Sequence, residues 1–160
     1  MSLQVQSARI TYQGEDRLDI TRKSGKEGLF LAPSWTILAP VLAARKQADA
    51  IMEAMRREAQ SRGGYADVHD MPTFDPFAYQ RDAENIMDLA WRVYRPAYRD
   101  EMRASYRHCR TQWEALLSRE RVVLVCYCLD AEHCHRAILR RDILPTLGAV
   151  DCGELDGGGR

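Results

Sequence analysis

The chain has 160 residues, 46% of them hydrophobic, which is enough for one well-formed core and too few for two independent ones. Its 23 basic and 23 acidic residues cancel, which excludes a protein that coats nucleic acid by bulk electrostatics, so any anion site has to be a local patch. No secretory signal and no apolar run of membrane-spanning length is present, so the expected location is the cytoplasm, with reduced thiols; five cysteines, an odd number, also argue against a disulfide framework.

Val5 to Tyr12 alternates loosely and predicts a first strand, followed by a turn at Gly14-Glu15-Asp16 and a short strand-like run, Leu18-Asp19-Ile20-Thr21. Behind that run stands Arg22-Lys23-Ser24-Gly25-Lys26-Glu27-Gly28. A glycine-punctuated basic loop after a strand can cradle an anion through backbone N–H groups and cationic side chains. The string lacks P-loop spacing, and a solvated turn is the more frequent structure behind it. Lysine occurs only at 23, 26 and 46, so nearly all positive charge is arginine; codon bias explains that more simply than selection for bidentate anion contacts.

Ser34 predicts the N-cap of a helix with Ile37, Val41, Ala48, Ile51, Met52, Met55 and Ala59 on one face, ended by Gly63-Gly64. Residues 65 to 78, with His69, Pro72 and Pro76, predict an irregular loop. A second helix is expected from Tyr79 to Tyr94, interrupted at Pro96, and a third from Pro96 to Ser118. In the third, Tyr98, Met102, Tyr106, Cys109, Trp113 and Leu116 form a core face. Arg95, Arg99, Arg103, Arg107 and Arg110 form a second row, which Asp100, Glu101 and Glu114 mark as a solvated face ahead of a phosphate-gripping ridge.

The chemistry is concentrated near the carboxyl end. Val122-Val123-Leu124-Val125 predicts a buried strand, and Cys134 to Leu144 predicts a helix. The connection, Cys126 to Arg136, carries three cysteines and two histidines in eleven residues. Cys126 and Cys128 are two apart, so on a strand they share a face that Tyr127 does not. Asp130 is the expected N-cap of the following helix, whose first turn would hold Cys134, His135 and Arg136. A helix N-terminus acidifies thiols and attracts anions, so Cys128 or Cys134 could be a thiolate with His135 as its base and Arg136 holding an anion. The cysteine-phosphatase spacing is absent, because the arginine that should follow Cys128 falls on Cys134. Cys126 reads as a small hydrophobe of the sheet. A second chemistry is a zinc site built from Cys126, Cys128, Cys134 and either His133 or His135, although the paired-knuckle pattern of structural zinc sites is missing.

The strand Val122 to Cys128, the Cys134-His135-Arg136 triplet, Leu139 and Leu147-Gly148-Ala149 together resemble the closing motif of domain-of-unknown-function family 488. Leu18 to Ser24 is similar to that family's first strand and basic loop, where Asp19 and Arg22 stand at its Asp and Arg positions. The likeness is greatest to a small bacterial and phage-associated subgroup, and it extends to the Tyr98 to Trp113 helix. It implies an α/β domain without assigning a reaction.

The expected fold is therefore a single α/β domain over residues 1–152, a small, mostly parallel sheet flanked by helices in a Rossmann-like three-layer arrangement, with a flexible tail at 153–160. Parallel neighbouring strands at 18–21 and 122–126 would open both following loops on one edge. The expected function is an enzyme acting on a phosphate-bearing substrate, a nucleotide or nucleic acid. Cys128 or Cys134 would act as nucleophile or ligand and His135 would move a proton, with Asp19, Arg22, Lys23 and Arg136 at the anion. No metal or cofactor is assigned to it, no membrane partner is expected, and oligomeric state is not legible. The alternatives are a non-catalytic nucleic-acid-binding accessory protein of phage or mobile-element origin, and a structural zinc domain.

Overall fold

A computed structural model describes residues 2–61 and 74–155. Among the described residues four strands, β1 (Gln4–Arg9), β2 (Arg17–Asp19), β3 (Arg121–Cys126) and β4 (Val150–Glu154), form one sheet in the order β2-β3-β1-β4 with every pairing parallel. Four α-helices accompany them: α1 (Trp35–Ser61), α2 (Pro76–His108), α3 (Arg110–Leu117) and the single turn α4 (His135–Ile138). The fold is a small α/β fold. Among the described residues no helix is long and apolar enough to cross a membrane.

The chain divides into two compact units, residues 1–37 with 95–160, and residues 38–94. The first holds the sheet. Its central strand β3 is buried from Val122 through Cys126, the continuous apolar run expected where both faces are covered. It lies between β1, in the register Val5↔Val122 to Arg9↔Cys126, and β2, with Asp19↔Val125. The carboxyl ends of β2 and β3 therefore open on one edge, as the sequence predicts. In the same unit Tyr98, Met102, Trp113 and Leu116 are buried, and Trp113 meets Phe30 and Tyr106 edge-on at ring distances of 5.6 and 5.5 Å. The second unit is helical. Within it the Tyr79 hydroxyl donates to Glu58, and Arg56 and Arg57 pair with Glu53.

Several boundaries differ from expectation. Pro96 does not interrupt a helix: α2 runs through it to His108, and the break falls at Cys109 instead. The burial of Tyr98 and Met102 on the next turn offsets the missing N–H of the proline. Residues 76–78, read as loop, begin α2; Gly63, Gly64 and the stretch 65–73 lie outside the described residues. Ser34 does precede α1, but its hydroxyl and backbone N–H are both turned to Glu101. Asp130 caps a local turn, accepting from the backbone N–H groups of Glu132 and His133, while the N-cap of α4 is Cys134. The helix after Cys134 is α4 followed by a π turn (Leu139–Ile143) and a 3-10 turn (Leu144–Leu147) that ends at Gly148 with φ 92°. Finally, β4 takes in Gly153 and Glu154, two residues that glycine-rich composition assigns to a tail.

Candidate active site at the carboxyl edge of the sheet

β3 ends at Cys126, and the chain then turns across the sheet edge to α4. Cys126 and Cys128 project to the same side, with their sulfurs 3.7 Å apart. His135, in the first turn of α4, points back under them. Its Nδ1 is 3.9 Å from the Sγ of Cys126 and 3.9 Å from the Sγ of Cys134. Its Nε2 is 3.0 Å from the carbonyl oxygen of Ile20, immediately beyond β2. A carbonyl only accepts, so Nε2 carries the proton and Nδ1 presents its lone pair to the sulfurs. Burial lowers the His135 pKa despite the nearby Cys128 and the Ile20 carbonyl, which keeps the ring neutral. Tyr98 packs its ring edge-on against the imidazole at 5.7 Å while its hydroxyl donates to the Leu31 carbonyl at 2.6 Å.

The three thiols differ in environment. Cys134 is 1% and Cys126 4% exposed, whereas Cys128 is half-buried and reachable from solvent. Hydrogen bonds from Cys128 and Cys134 lower the Cys126 thiol to about 3; its burial opposes this, and the Cys128 backbone N–H and the Arg136 charge assist. Cys134 is pushed up, first by burial and then by the thiols beside it. Cys126 is buried in the sheet, as its sequence reading expects, and its sulfur also lies beside that of Cys128 and the His135 ring. The shared strand face of Cys126 and Cys128 was the signal for it.

Arg136 is wholly buried, and both terminal nitrogens of its guanidinium are engaged. Nη1 donates to the Cys128 carbonyl at 2.8 Å and approaches the Cys134 sulfur at 3.7 Å, and Nη2 pairs with Glu154 at 2.7 Å. Glu154 in turn accepts from Ser7 of β1 at 3.2 Å. These contacts make Arg136 a positioning residue that sets the Cys128–Cys134 turn. Glu154 and Ser7 were not legible in the sequence, because they reach the site only through the pairing of β1 with β4.

The loop after β2 lies beside this cluster, and the Ser24 hydroxyl is 3.3 Å from the Tyr127 hydroxyl. Asp19 organises the loop by accepting from the Ser24 hydroxyl at 2.6 Å and the Thr21 N–H at 2.9 Å. Burial works against its charged form, but the bonds from Ser24 and Thr21 and the charge of Arg17 outweigh it and hold its carboxyl below the usual range. Gly25 and Gly28 both pack on the Asp19 carbonyl, closer than a Cβ could come, which is the local reason for two glycines here. Arg22 donates from Nε to the Pro33 carbonyl at 2.8 Å and from Nη2 to the Ala32 carbonyl at 2.7 Å, so it anchors the chain leading to α1. Lys23 is exposed.

Four arginines of the row on α2 and α3 are engaged with carboxylates. Arg95 and Arg99 pair with Asp142, Arg103 with Asp100, and Arg110 with Glu114.

Fold and site together define a parallel α/β protein with a thiol-imidazole cluster at the carboxyl edge of its sheet. The family model described as DUF488-N3a, Active DUF488-N3 subclade, matches residues 69–146, just under half of the chain, and this match supports a member of domain-of-unknown-function family 488. The matched span includes Cys126, Cys128, Cys134, His135 and Arg136 and excludes Asp19, Arg22, Lys23 and Glu154. No curated protein and no solved structure gives a significant match.

Proposed function

We propose that this chain is a thiol-dependent enzyme acting on a phosphate-bearing substrate, a nucleotide or nucleic acid, at the edge where β2 and β3 end. One observation carries the reading. Cys128, reachable from solvent, sits on a buried set of sulfurs and imidazole, in the place where parallel α/β sheets bind ligands. Cys128 is the group that meets the substrate. Lys23, exposed on the loop that touches Tyr127, supplies positive charge for a phosphate; Asp19 and Arg22 shape that loop, and Arg136 shapes the turn that presents Cys128. The matched family's description uses the word active of its subclade, which agrees with an enzyme.

The test is turnover of a panel of nucleotides and short oligonucleotides, followed by chromatography, with Cys128→Ser and, as a control in β4, Cys152→Ser. Consumption that is lost in the first variant and kept in the second supports the reading. A panel left intact by the wild-type chain, or full turnover by Cys128→Ser, sinks it.

A further inference from the structure

Among the described residues, Cys126, Cys134 and His135 bring their donor atoms, two sulfurs and one nitrogen, within 4.8 Å of one another, and all three residues are buried. We propose that these three side chains bind a divalent cation of the zinc class, with the fourth coordination position open toward Cys128.

The separations suit such an ion. Tetrahedral bonds of about 2.3 Å to sulfur and about 2.0 Å to nitrogen place sulfur and nitrogen ligands roughly 3.5 Å apart. The two sulfur–Nδ1 separations are 3.9 Å each and all three donor atoms lie within 4.8 Å, so closing the set on a metal takes a few tenths of an ångström between nitrogen and sulfur and up to about 1 Å between the two sulfurs. The donor chemistry also fits. Two thiolates and an imidazole are ligands preferred by a borderline-soft cation and poor ones for magnesium or calcium.

The outer shell is already built. Metal-bound histidine characteristically donates its second ring N–H to a carbonyl or carboxylate, which fixes the tautomer and the ring plane. His135 does this through Nε2 to the Ile20 carbonyl at 3.0 Å, and Tyr98 holds the ring from one side. Arg136 directs Nη1 at the Cys134 sulfur from 3.7 Å, the placement of a donor that stabilises a ligating thiolate.

Charge selects three protein ligands over four. A divalent ion with two thiolates and a neutral imidazole is electrically neutral, and the adjacent Arg136–Glu154 pair is neutral as well. A third thiolate from Cys128 would leave a net negative charge at a buried site, which is costly. Cys128 is also the one of these three cysteines that is not fully buried. A position left open on that side could take water or a substrate oxygen. That last use of the position rests on the enzymatic reading, whereas metal binding itself does not.

Metal analysis of the full chain and cobalt(II) titration of chelator-treated protein test the inference. One equivalent of zinc is expected, and a tetrahedral cobalt spectrum whose sulfur-to-cobalt absorption corresponds to two thiolates. Cys128→Ser should keep the equivalent, while Cys126→Ser and His135→Gln should each weaken cobalt binding at least tenfold. The wild-type spectrum needs no variant to fold, so it stands alone as evidence. No cobalt binding overturns the proposal. Absorption for three thiolates, or loss of metal in Cys128→Ser, overturns the open position. A chain that binds cobalt through two thiolates but consumes no nucleotide keeps this inference and removes the enzyme; a metal-free chain whose turnover depends on Cys128 does the reverse.

Discussion

Arg136 and Glu154 form an ion pair of 2.7 Å, and through it the last residue of β4 is fastened to the turn that carries the thiols. The Arg136 side chain is 0% exposed and that of Glu154 26%, so removing Glu154 leaves the Arg136 charge in a place water hardly reaches. Glu154→Ala should destabilise the chain by about 3 kcal/mol, read as a lower urea midpoint at unchanged slope. Arg136→Lys keeps the charge but cannot serve the Cys128 carbonyl and Glu154 together, and should cost about 2 kcal/mol. A Glu154→Ala variant as stable as wild type would show that the pair contributes nothing.

Tyr98 serves the site in two separable ways. Its hydroxyl bonds the Leu31 carbonyl and its ring meets His135. Tyr98→Phe should cost about 1–2 kcal/mol, the cost of a buried carbonyl losing its donor, while the His135 ring signals keep their chemical shifts. Tyr98→Leu should destabilise further and also move those shifts. Equal effects of the two variants on the His135 resonances would argue against packing between the rings.

Asp19 gives the fold a defined acid limb. Its carboxyl titrates below the ordinary 3.8, so the unfolded chain takes up its proton first as pH falls. The stability it contributes is therefore complete above about pH 5 and is lost as pH drops through the folded pKa. Asp19→Asn should cost about 1 kcal/mol at pH 7 and progressively less below pH 4. Denaturant midpoints measured for both chains from pH 2.5 to 7 check this; parallel curves would exclude the effect.

What could be read in advance followed from pattern. β3 is five buried residues in a row, and an apolar run between turn residues has few other structures open to it. The common edge of the β2 and β3 loops then follows from parallel pairing. β4 offered no such pattern, because an edge strand of Val150, Asp151, Cys152, Gly153 and Glu154 buries little and is defined by its pairing with β1. Pro96 misled for the opposite reason: local propensity forecast a break that burial of Tyr98 and Met102 overrides. Within the site, Cys128, Cys134 and His135 converge as their spacing suggests. Arg22 and Arg136 read as anion ligands by charge, but charge in a sequence does not show that a guanidinium is already occupied by carbonyls or by a glutamate from a distant strand.

Thiol accessibility gives a direct measure of the cluster's layering. Under native conditions Cys152, exposed, and Cys128, half-buried, should alkylate ahead of Cys126 and Cys134, which require opening of the fold. Peptide mass mapping after short iodoacetamide pulses separates the sites. The protection of Cys126 and Cys134 should exceed that of Cys128 at least tenfold and vanish in urea. Labelling of Cys134 as fast as Cys128 would mean that the cluster is open rather than covered.

The arginine row provides the last test, because electrostatic pairing and nucleic-acid contact make opposite forecasts. Arg99 and Arg95 both reach Asp142, and Arg103 reaches Asp100, at exposures where such pairs contribute about 0.2–1 kcal/mol. Arginines neutralised by neighbouring carboxylates release few counterions on meeting a phosphate backbone. Arg99→Ala and Arg103→Ala together should therefore lower stability by less than about 1 kcal/mol and leave the salt dependence of any oligonucleotide binding unchanged. Fluorescence anisotropy with a labelled single strand from 50 to 300 mM salt measures this. A slope that flattens by about two in the double variant would show that the row contacts phosphates, and would move nucleic-acid binding from the sheet edge to α2.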